Sequence, residues 1–554
     1  MSLVIGRGPG RHGDTAYMTD DKFSIANFQS FQSLKVSQRT DAPEKVKCTQ
    51  AAARLFSKIP GASLPSSVVM RHTKVILAVL FIGCSMARAA STNYAALHHA
   101  AQLRDQGDFK LAAAVLDAAL QSTNLPSAER KQLEFQRDVL HRIKNDYSLS
   151  KEALFHKLSA SLKDASRPEF ERWIAEGRFD AKLIDGQIWF VDVSVRNLFF
   201  RYPELNSRRL DGTDDAPEQT RRLEIARAIK QSALQQLTPY VLPHHFVCTM
   251  TVSAAKGAAP SGEIVRAWLP VPRRYPFQDE FNLLSSSPQF TSLAPETSPI
   301  RSVFLEQPAQ SDGSATFEIT YAYTASGVYF DLKPDKIRPA DLSDPALAPF
   351  LRQAPHVVFT DKITTLARQL AGGQTNPMLR ARAFYDWIGG NIKYSFAREY
   401  STLDDLSDYC LSHRYGDCGQ EALLFITLCR AQGIPARWQS AWNIFPGAKD
   451  IHDWSEIYLQ PYGWVPVDPW AGLFATQYCS ALTPAERREL HDFYFGGLDY
   501  YRMAANSDHC QTLAPPKLTL RSDNVDFQRG ELEWRGGNIY FDKYSYQLNV
   551  KELK

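Results

Sequence analysis

The feature that most limits what this chain can fold into is a change of periodicity around Val241-Leu242-Pro243. From about Asn93 to Leu242 the pattern is helical, as in Leu111-Ala-Ala-Ala-Val-Leu-Asp-Ala-Ala-Leu120 and again between Arg221 and Leu237. From Phe246 to Pro339 the spacing becomes that of strands, in Phe246-Val-Cys-Thr-Met-Thr-Val-Ser, Ile264-Val-Arg-Ala-Trp-Leu-Pro-Val and Ala315-Thr-Phe-Glu-Ile-Thr-Tyr-Ala-Tyr, separated by Gly, Pro and Ser clusters. A polar connection, Lys333 to Ala354, then leads into a mixed α/β stretch that runs to about Asp508. Near the end, Gly536-Gly537 inside Glu531-Leu-Glu-Trp-Arg-Gly-Gly-Asn-Ile-Tyr-Phe-Asp marks a hairpin. The expected fold class is multidomain α+β: a helical domain over 91–242, a β-sandwich over 243–340, a mixed unit over 341–510 and a C-terminal β extension over 511–554. A length of 554 residues agrees, since it predicts about three or four domains. No internal repeat is present.

The longest apolar run, Val75 to Gly83, follows Met70, Arg71, His72 and Lys74 and precedes Ala87-Arg88-Ala89. A basic start, a short apolar core and an A-x-A site are the anatomy of a secretory signal peptide, here 70–90. Met70 is then the expected start, and 1–69 an upstream or disordered extension. The competing reading makes 75–83 one buried helix. Phe81-Ile82-Gly83-Cys84 is similar to a bacterial lipobox and offers Cys84 as a lipid anchor. The expected location is outside the cytoplasm, periplasmic or cell-surface. No run reaches the roughly 20 apolar residues of a membrane-crossing helix. With 63 Lys+Arg against 60 Asp+Glu, the net charge of +3 is too small for a protein built to neutralise nucleic-acid phosphates.

The chemistry is concentrated in Tyr415-Gly-Asp-Cys-Gly-Gln-Glu-Ala-Leu-Leu-Phe-Ile-Thr-Leu-Cys-Arg-Ala-Gln-Gly-Ile-Pro435. Asp417 followed three residues later by Gln420 fits a capping box, with Gly433 and Pro435 as stop signals. Cys418 then occupies the first helical position, where unpaired N–H groups and the helix dipole favour a thiolate and lower the thiol pKa. Asp417 opposes this unless its carboxylate turns to the capped amides. Cys429, in the apolar body of the same helix, is expected to pack in the core.

Ile451-His-Asp-Trp-Ser-Glu-Ile-Tyr-Leu459 and Trp464-Val-Pro-Val-Asp-Pro469 read as two strands joined by a turn at Gln460-Pro-Tyr-Gly463. A turn centred on Gln460 would place His452 directly opposite Asp468, whereas one centred on Pro461-Tyr462 would offset them by about three residues. The candidate roles are Cys418 as nucleophile, His452 as base and then acid, and Asp468 as the group that orients the imidazole.

Four segments in this chain order, Gly416-Asp-Cys418, Gly433-Ile-Pro-Ala-Arg437, His452-Asp-Trp-Ser-Glu-Ile-Tyr458 and Gly463-Trp-Val-Pro-Val-Asp-Pro469, closely resemble the transglutaminase-like cysteine enzyme superfamily. The resemblance covers about 375–505. It implies a papain-like fold for the 341–510 unit, with Cys418, His452 and Asp468 at the triad positions. Val265-Arg-Ala-Trp-Leu-Pro-Val-Pro272 and Phe495-Gly-Gly-Leu-Asp-Tyr-Tyr-Arg502 look like companions found in exported bacterial members. The implied activity is that of a cysteine peptidase, amidase or acyltransferase working on peptide or protein amides, cell-envelope material included, through a Cys thioester. Hydrolysis is favoured over transamidation. Gln420-Glu421 departs from the Ser or Thr, then Glu or His, that relatives often carry.

The Cys418 backbone N–H is the natural first oxyanion donor, and the second is sought in Phe384-Tyr-Asp-Trp-Ile-Gly-Gly-Asn-Ile-Lys-Tyr394 or in Tyr415. Trp387 is expected in the core, and packing is the expected role of each of Trp438, Trp442, Trp454, Trp464 and Trp470. His413 and Asp508-His509-Cys510 read as solvated loop groups without metal-ligand spacing, and nothing calls for a cofactor or metal. Two rival readings stand beside catalysis. In one the domain is a scaffold in a non-catalytic surface binding protein; in the other Cys418 is tied to Cys410 or Cys479 in a disulfide.

Overall fold

The computed structural model describes residues 94–553 other than 124, 211, 213 and 214. The signal-peptide segment, Cys84 and residues 1–69 lie outside the described residues. The helices Phe109–Leu120 and Ser127–Asp146 close around one small core that includes Leu116, Leu133 and Ile143. Lys151–Ser161, Arg167–Ala175 and Ser194–Arg201 close around a second, with Leu158, Trp173 and Leu198. Between them lies an antiparallel pair, Ala181–Ile184 with Gln187–Phe190, that the helical expectation passed over. Its two-residue Asp185-Gly186 loop has positive φ at both positions, the geometry that matches strand twist in a hairpin.

The long helix Ala216–Gln236 belongs elsewhere. Its Leu223 and Ile229 join the core of the β region, and a β-carbon at Gly327 would stand 2.5 Å from Ile229. Gly327 thus lets the helix lie close on the strand Ala315–Tyr329. Two antiparallel five-stranded sheets share this core. Their strands include Tyr240–Ala254 and Ala315–Tyr329 in one and Ile264–Pro270 and Ser302–Pro308 in the other. The end of the chain enters both sheets. Glu531–Trp534 pairs with Ile264–Pro270, and Tyr544–Leu553 runs along Tyr240–Ala254 from Tyr544↔Ala254 to Leu553↔His245. Residues read from sequence as a separate β extension therefore complete the β region.

The remaining unit is a four-stranded antiparallel sheet in the order Gly463–Val467, Asp450–Leu459, Ala436–Asn443, Arg502–Asn506. The helix Cys418–Ala431 packs on it, with every residue from Gly419 to Arg430 buried. Asp361–Ala371, Pro377–Asn391 and Leu406–His413 cover its other sides. The segment between this unit and the last strands is fastened by fully buried Arg142, which donates to the Arg521 and Ser522 carbonyls at 2.7 and 2.8 Å. Among the described residues no helix is long and apolar enough to cross a membrane.

Candidate active site

The capping box is formed. Asp417 Oδ1 accepts from Gln420 N at 3.1 Å, and Gln420 Oε1 accepts from Asp417 N at 3.2 Å, so Cys418 stands at the first helical position. Just before it, Tyr415-Gly416 pairs in parallel with Lys393-Tyr394, which brings Tyr394 alongside Gly416. Just after it, Gly419 permits a very close approach. A β-carbon there would lie 2.1 Å from Tyr400 Oη and 2.6 Å from Asp453 Oδ2. The start of the helix is thereby pressed onto the strand that carries His452 and Asp453.

His452 and Asp468 meet. Ser455↔Val467 and Leu459↔Gly463 centre the turn on Pro461, so Asp468 sits diagonally two residues from the position opposite His452. That separation is within side-chain reach, and His452 Nε2 lies 2.8 Å from Asp468 Oδ2. The same carboxylate has two further fixed partners. Oδ1 caps the helix Pro469–Gln477 through Ala471 N at 2.9 Å, and Oδ2 accepts from Arg502 Nη1 at 2.8 Å. Arg502 also donates to Asp499, at 2.9 Å from Nη2. Burial alone would raise the Asp468 pKa, but His452 and Arg502 outweigh it and hold it at about 2. Burial lowers His452 below the ordinary imidazole range, with Asp468 pulling the other way.

The thiol is held differently. Cys418 Sγ donates to Asp453 Oδ2 at 3.5 Å, and among the described residues no hydrogen bond joins it to His452. Tyr400 Oη donates to Asp417 Oδ1 at 2.8 Å and to Asp453 Oδ2 at 3.4 Å. Gln528 Nε2 reaches in from the C-terminal segment to Asp453 Oδ1 at 2.6 Å and to the His452 carbonyl at 3.2 Å. Burial, then the Asp453 and Asp417 carboxyls, pushes the Cys418 thiol well above its usual value. The expectation of a lowered thiol pKa is corrected: Asp417 does turn to the capped amide, but burial of the sulfur, and after it the nearby carboxyls, raises the thiol. The six described cysteines are free, so Cys418 forms no disulfide with Cys410 or Cys479.

Of the oxyanion candidates, Tyr415 is committed elsewhere. Its hydroxyl donates to Asp180 at 2.7 Å, and the Arg201 guanidinium lies 3.5 Å over its ring. Trp387 is half-buried under Arg414, at 4.7 Å. Tyr394 remains; no described residue takes its hydroxyl hydrogen bond, and burial followed by the Cys418 charge pushes its pKa up. Trp438, Trp442 and Trp454 are buried, whereas half-buried Trp470 stands edge-on to His452 with ring centres 4.8 Å apart. His509, read from sequence as solvated, is 3% exposed, with Nε2 2.8 Å from the Pro355 carbonyl. Tyr400, Asp453, Arg502 and Gln528 were not singled out by sequence. Only Asp453, adjacent to His452, carried a local signal.

Residues 364–469 match the model of the transglutaminase-like superfamily, and a transglutaminase-like domain occupies that stretch. Cys418, His452 and Asp468 all fall within it. Among curated proteins the chain is similar to the uncharacterized protein YebA of Bacillus subtilis (strain 168), 24% identical over 131 residues. That match takes in 20% of this chain and 18% of the length of YebA. Among solved structures it is similar to a candidate cysteine protease from Cytophaga hutchinsonii, at 18% identity and a TM-score of 0.38 over 57% of this chain and 92% of that one. It is also similar to the periplasmic domain of TgpA from Pseudomonas aeruginosa, at 16% identity and a TM-score of 0.23 over 41% and 96% of the two chains.

Proposed function

We propose that the protein is an exported cysteine enzyme that opens amide bonds of peptide or protein substrates through a thioester on Cys418. The observation that carries the proposal is the 2.8 Å contact of His452 Nε2 with Asp468, on the strand whose next residue touches the Cys418 sulfur. With Nε2 turned to Asp468, Nδ1 is the ring nitrogen that takes the thiol proton. Sγ then bonds to the carbonyl carbon, and the C=O electron pair moves onto oxygen. The Cys418 N–H and the Tyr394 hydroxyl are the donors that meet this charge. Collapse breaks the C–N bond, the amine leaves with the proton from His452, and a thioester remains. Water, giving its proton to His452, then releases the acid and restores the thiol; an amine in place of water gives transamidation. We favour hydrolysis because the exported members that this sequence resembles look more like peptidases and amidases. The papain-like reading of 341–510 and export directed by 70–90 belong to the same proposal.

A scaffold role has one specific observation on its side, the thiol that donates to Asp453 and not to His452. It requires that Cys418 react no faster than Cys248. The deciding experiment incubates the full chain and its Cys418→Ala variant with a proteome-derived peptide library, with and without cadaverine, and reads both products and enzyme by mass spectrometry. New peptide termini and an acyl group on Cys418 support the hydrolase, and cadaverine addition supports the transamidase. Neither product with either chain supports the scaffold.

A further inference from the structure

The parallel pair just ahead of Cys418 is too short to hold itself. Lys393-Tyr394 and Tyr415-Gly416 are two residues each, and even a longer isolated pair of strands is marginal in water. The helix Ser194–Arg201, from the helical region, grips both sides of it. Asn197, 1% exposed, donates from Nδ2 to the Phe396 carbonyl at 3.0 Å and accepts from Phe396 N at 2.8 Å, as a neighbouring strand would. Arg201 donates from Nη2 to Ser395 Oγ at 2.7 Å, while its guanidinium covers the Tyr415 ring at 3.5 Å and shares Asp180 with the Tyr415 hydroxyl. Phe200 stands edge-on to three rings, those of Tyr394 at 4.8 Å, Tyr478 at 5.4 Å and Phe396 at 5.7 Å. One hydroxyl also joins the backbones: Tyr478 Oη accepts from Tyr394 N at 3.1 Å and donates to the Phe200 carbonyl at 2.9 Å. The Tyr394 ring so held lies on the catalytic side, 6.3 Å from that of Trp470, which is itself 4.8 Å from the His452 ring.

We propose that the helix Ser194–Arg201 is a positioning element of the active site, in which Asn197 and Phe200 fix the Tyr394 strand and so hold the Tyr394 hydroxyl where charge develops on the substrate carbonyl oxygen. This role rests on the reading of Cys418 as nucleophile and of Tyr394 as a donor to that oxygen. It gives the helical region a part in acyl transfer, although the reacting residues belong to the 341–510 unit. Two reactions of the thiol separate the effect. Alkylation by iodoacetamide displaces iodide from a methylene carbon and builds no charge on a carbonyl oxygen, so it needs His452 but not Tyr394. Acylation needs both, and a donor misplaced by about 1 Å loses much of its value.

The test compares the full chain with Asn197→Ser, Phe200→Leu, Tyr394→Phe and the double variant Phe200→Leu/Tyr394→Phe, each shown by urea unfolding to be folded under the assay conditions. If one of the two helix variants does not fold, the other decides. Each protein meets iodoacetamide and, separately, p-nitrophenyl acetate, whose acetyl carbon bonds to Sγ while p-nitrophenolate leaves. Mass spectrometry locates both products at Cys418. Tyr394→Phe should slow acetylation by about 10²-fold and each helix variant by about tenfold, while alkylation stays within about threefold in all. The double variant should acetylate no more slowly than Tyr394→Phe. Acetylation slowed by Tyr394→Phe but unchanged in both helix variants overturns the positioning role and leaves the proposed function standing. Acetylation unchanged in Tyr394→Phe, or a double variant that loses the product of both single effects, overturns it too, because the helix then does not act through Tyr394. Equal slowing with both reagents overturns it by showing an effect on the thiol or on the fold at large. A wild-type Cys418 that reacts no faster than Cys510 with either reagent refutes the proposed function itself, and this role with it.

Discussion

Replacing Asp468 by Asn removes one negative charge at nearly constant volume, and the local geometry says what that costs. The carboxylate serves three donors: Ala471 N on Oδ1, and His452 Nε2 and Arg502 Nη1 on Oδ2. An amide has one acceptor oxygen, so one side must face a donor with its NH2 group. Turning the amide toward Ala471 sacrifices a helix cap, about 1 kcal/mol, and is milder than setting it against buried Arg502. Arg502 keeps Asp499 as a partner, so the total loss of stability is about 2–4 kcal/mol. The effect on reactivity is separate. A unit charge about 4 Å from the imidazole, at an effective dielectric of about 20, stabilises the imidazolium by about 4 kcal/mol, and Arg502 keeps only Asp499 as its ion-pair partner. Labelling of Cys418 by iodoacetamide near neutral pH should therefore fall by about 10²–10³-fold, while Cys510 is unaffected. Site-resolved mass spectrometry gives the rates, and urea unfolding confirms that the variant is folded where they are taken. An unchanged Cys418 rate would refute the claim that Asp468 sets the charge of the ring.

The pH dependence has a definite sign. Asp468 sits at about 2 in the folded protein against about 3.9 unfolded, so its contribution of roughly 2–3 kcal/mol is present above pH 3.9 and is lost as pH falls toward 2. Urea midpoints across that window should fall more steeply for the wild type than for Asp468→Asn. His452 must be neutral to take a proton and is lowered by burial, so the acid limb of Cys418 labelling should lie below about 6.5; a limb above that value contradicts the assignment. Gly419→Ala forces Tyr400 and Asp453 aside, and should cost about 1–3 kcal/mol in urea unfolding and slow Cys418 labelling. Tyr415→Phe strips a hydrogen bond from Asp180 and should cost about 1–2 kcal/mol while leaving Cys418 labelling intact; a lost rate would return Tyr415 to the reacting groups.

What could be read from sequence was encoded locally. Asp417 and Gln420 are three residues apart and specify the cap that places Cys418, and the turn at Gln460-Pro-Tyr-Gly463 announces the hairpin. Whether His452 reaches Asp468 depended on the register of that turn, and the observed offset of two residues lies between the two registers considered. Other parts of the site come from distant chain. Gln528 contacts Asp453 across 75 positions, and Arg502 reaches Asp468 across 34; no periodicity encodes such pairs. The helix Ala216–Gln236 resembles its neighbours in pattern, yet its apolar face is covered by the sheets, because Gly327 leaves room for Ile229. The electrostatics of the thiol were the largest departure. A helix start favours a thiolate, but the burial of Cys418, and after it the Asp453 and Asp417 carboxyls, is set by tertiary packing and raises the thiol pKa.

The central claim is that Cys418 is a nucleophile served by His452. The most direct measurement is the rate of iodoacetamide labelling at each cysteine of the full chain against pH, in the wild type and in His452→Ala. If His452 takes the thiol proton, Cys418 labels faster than Cys248 or Cys510 near neutral pH despite the burial and carboxyls that raise its pKa, and His452→Ala abolishes the difference. Labelling of Cys418 at the rate of Cys248 or Cys510, unchanged by His452→Ala, would contradict that role.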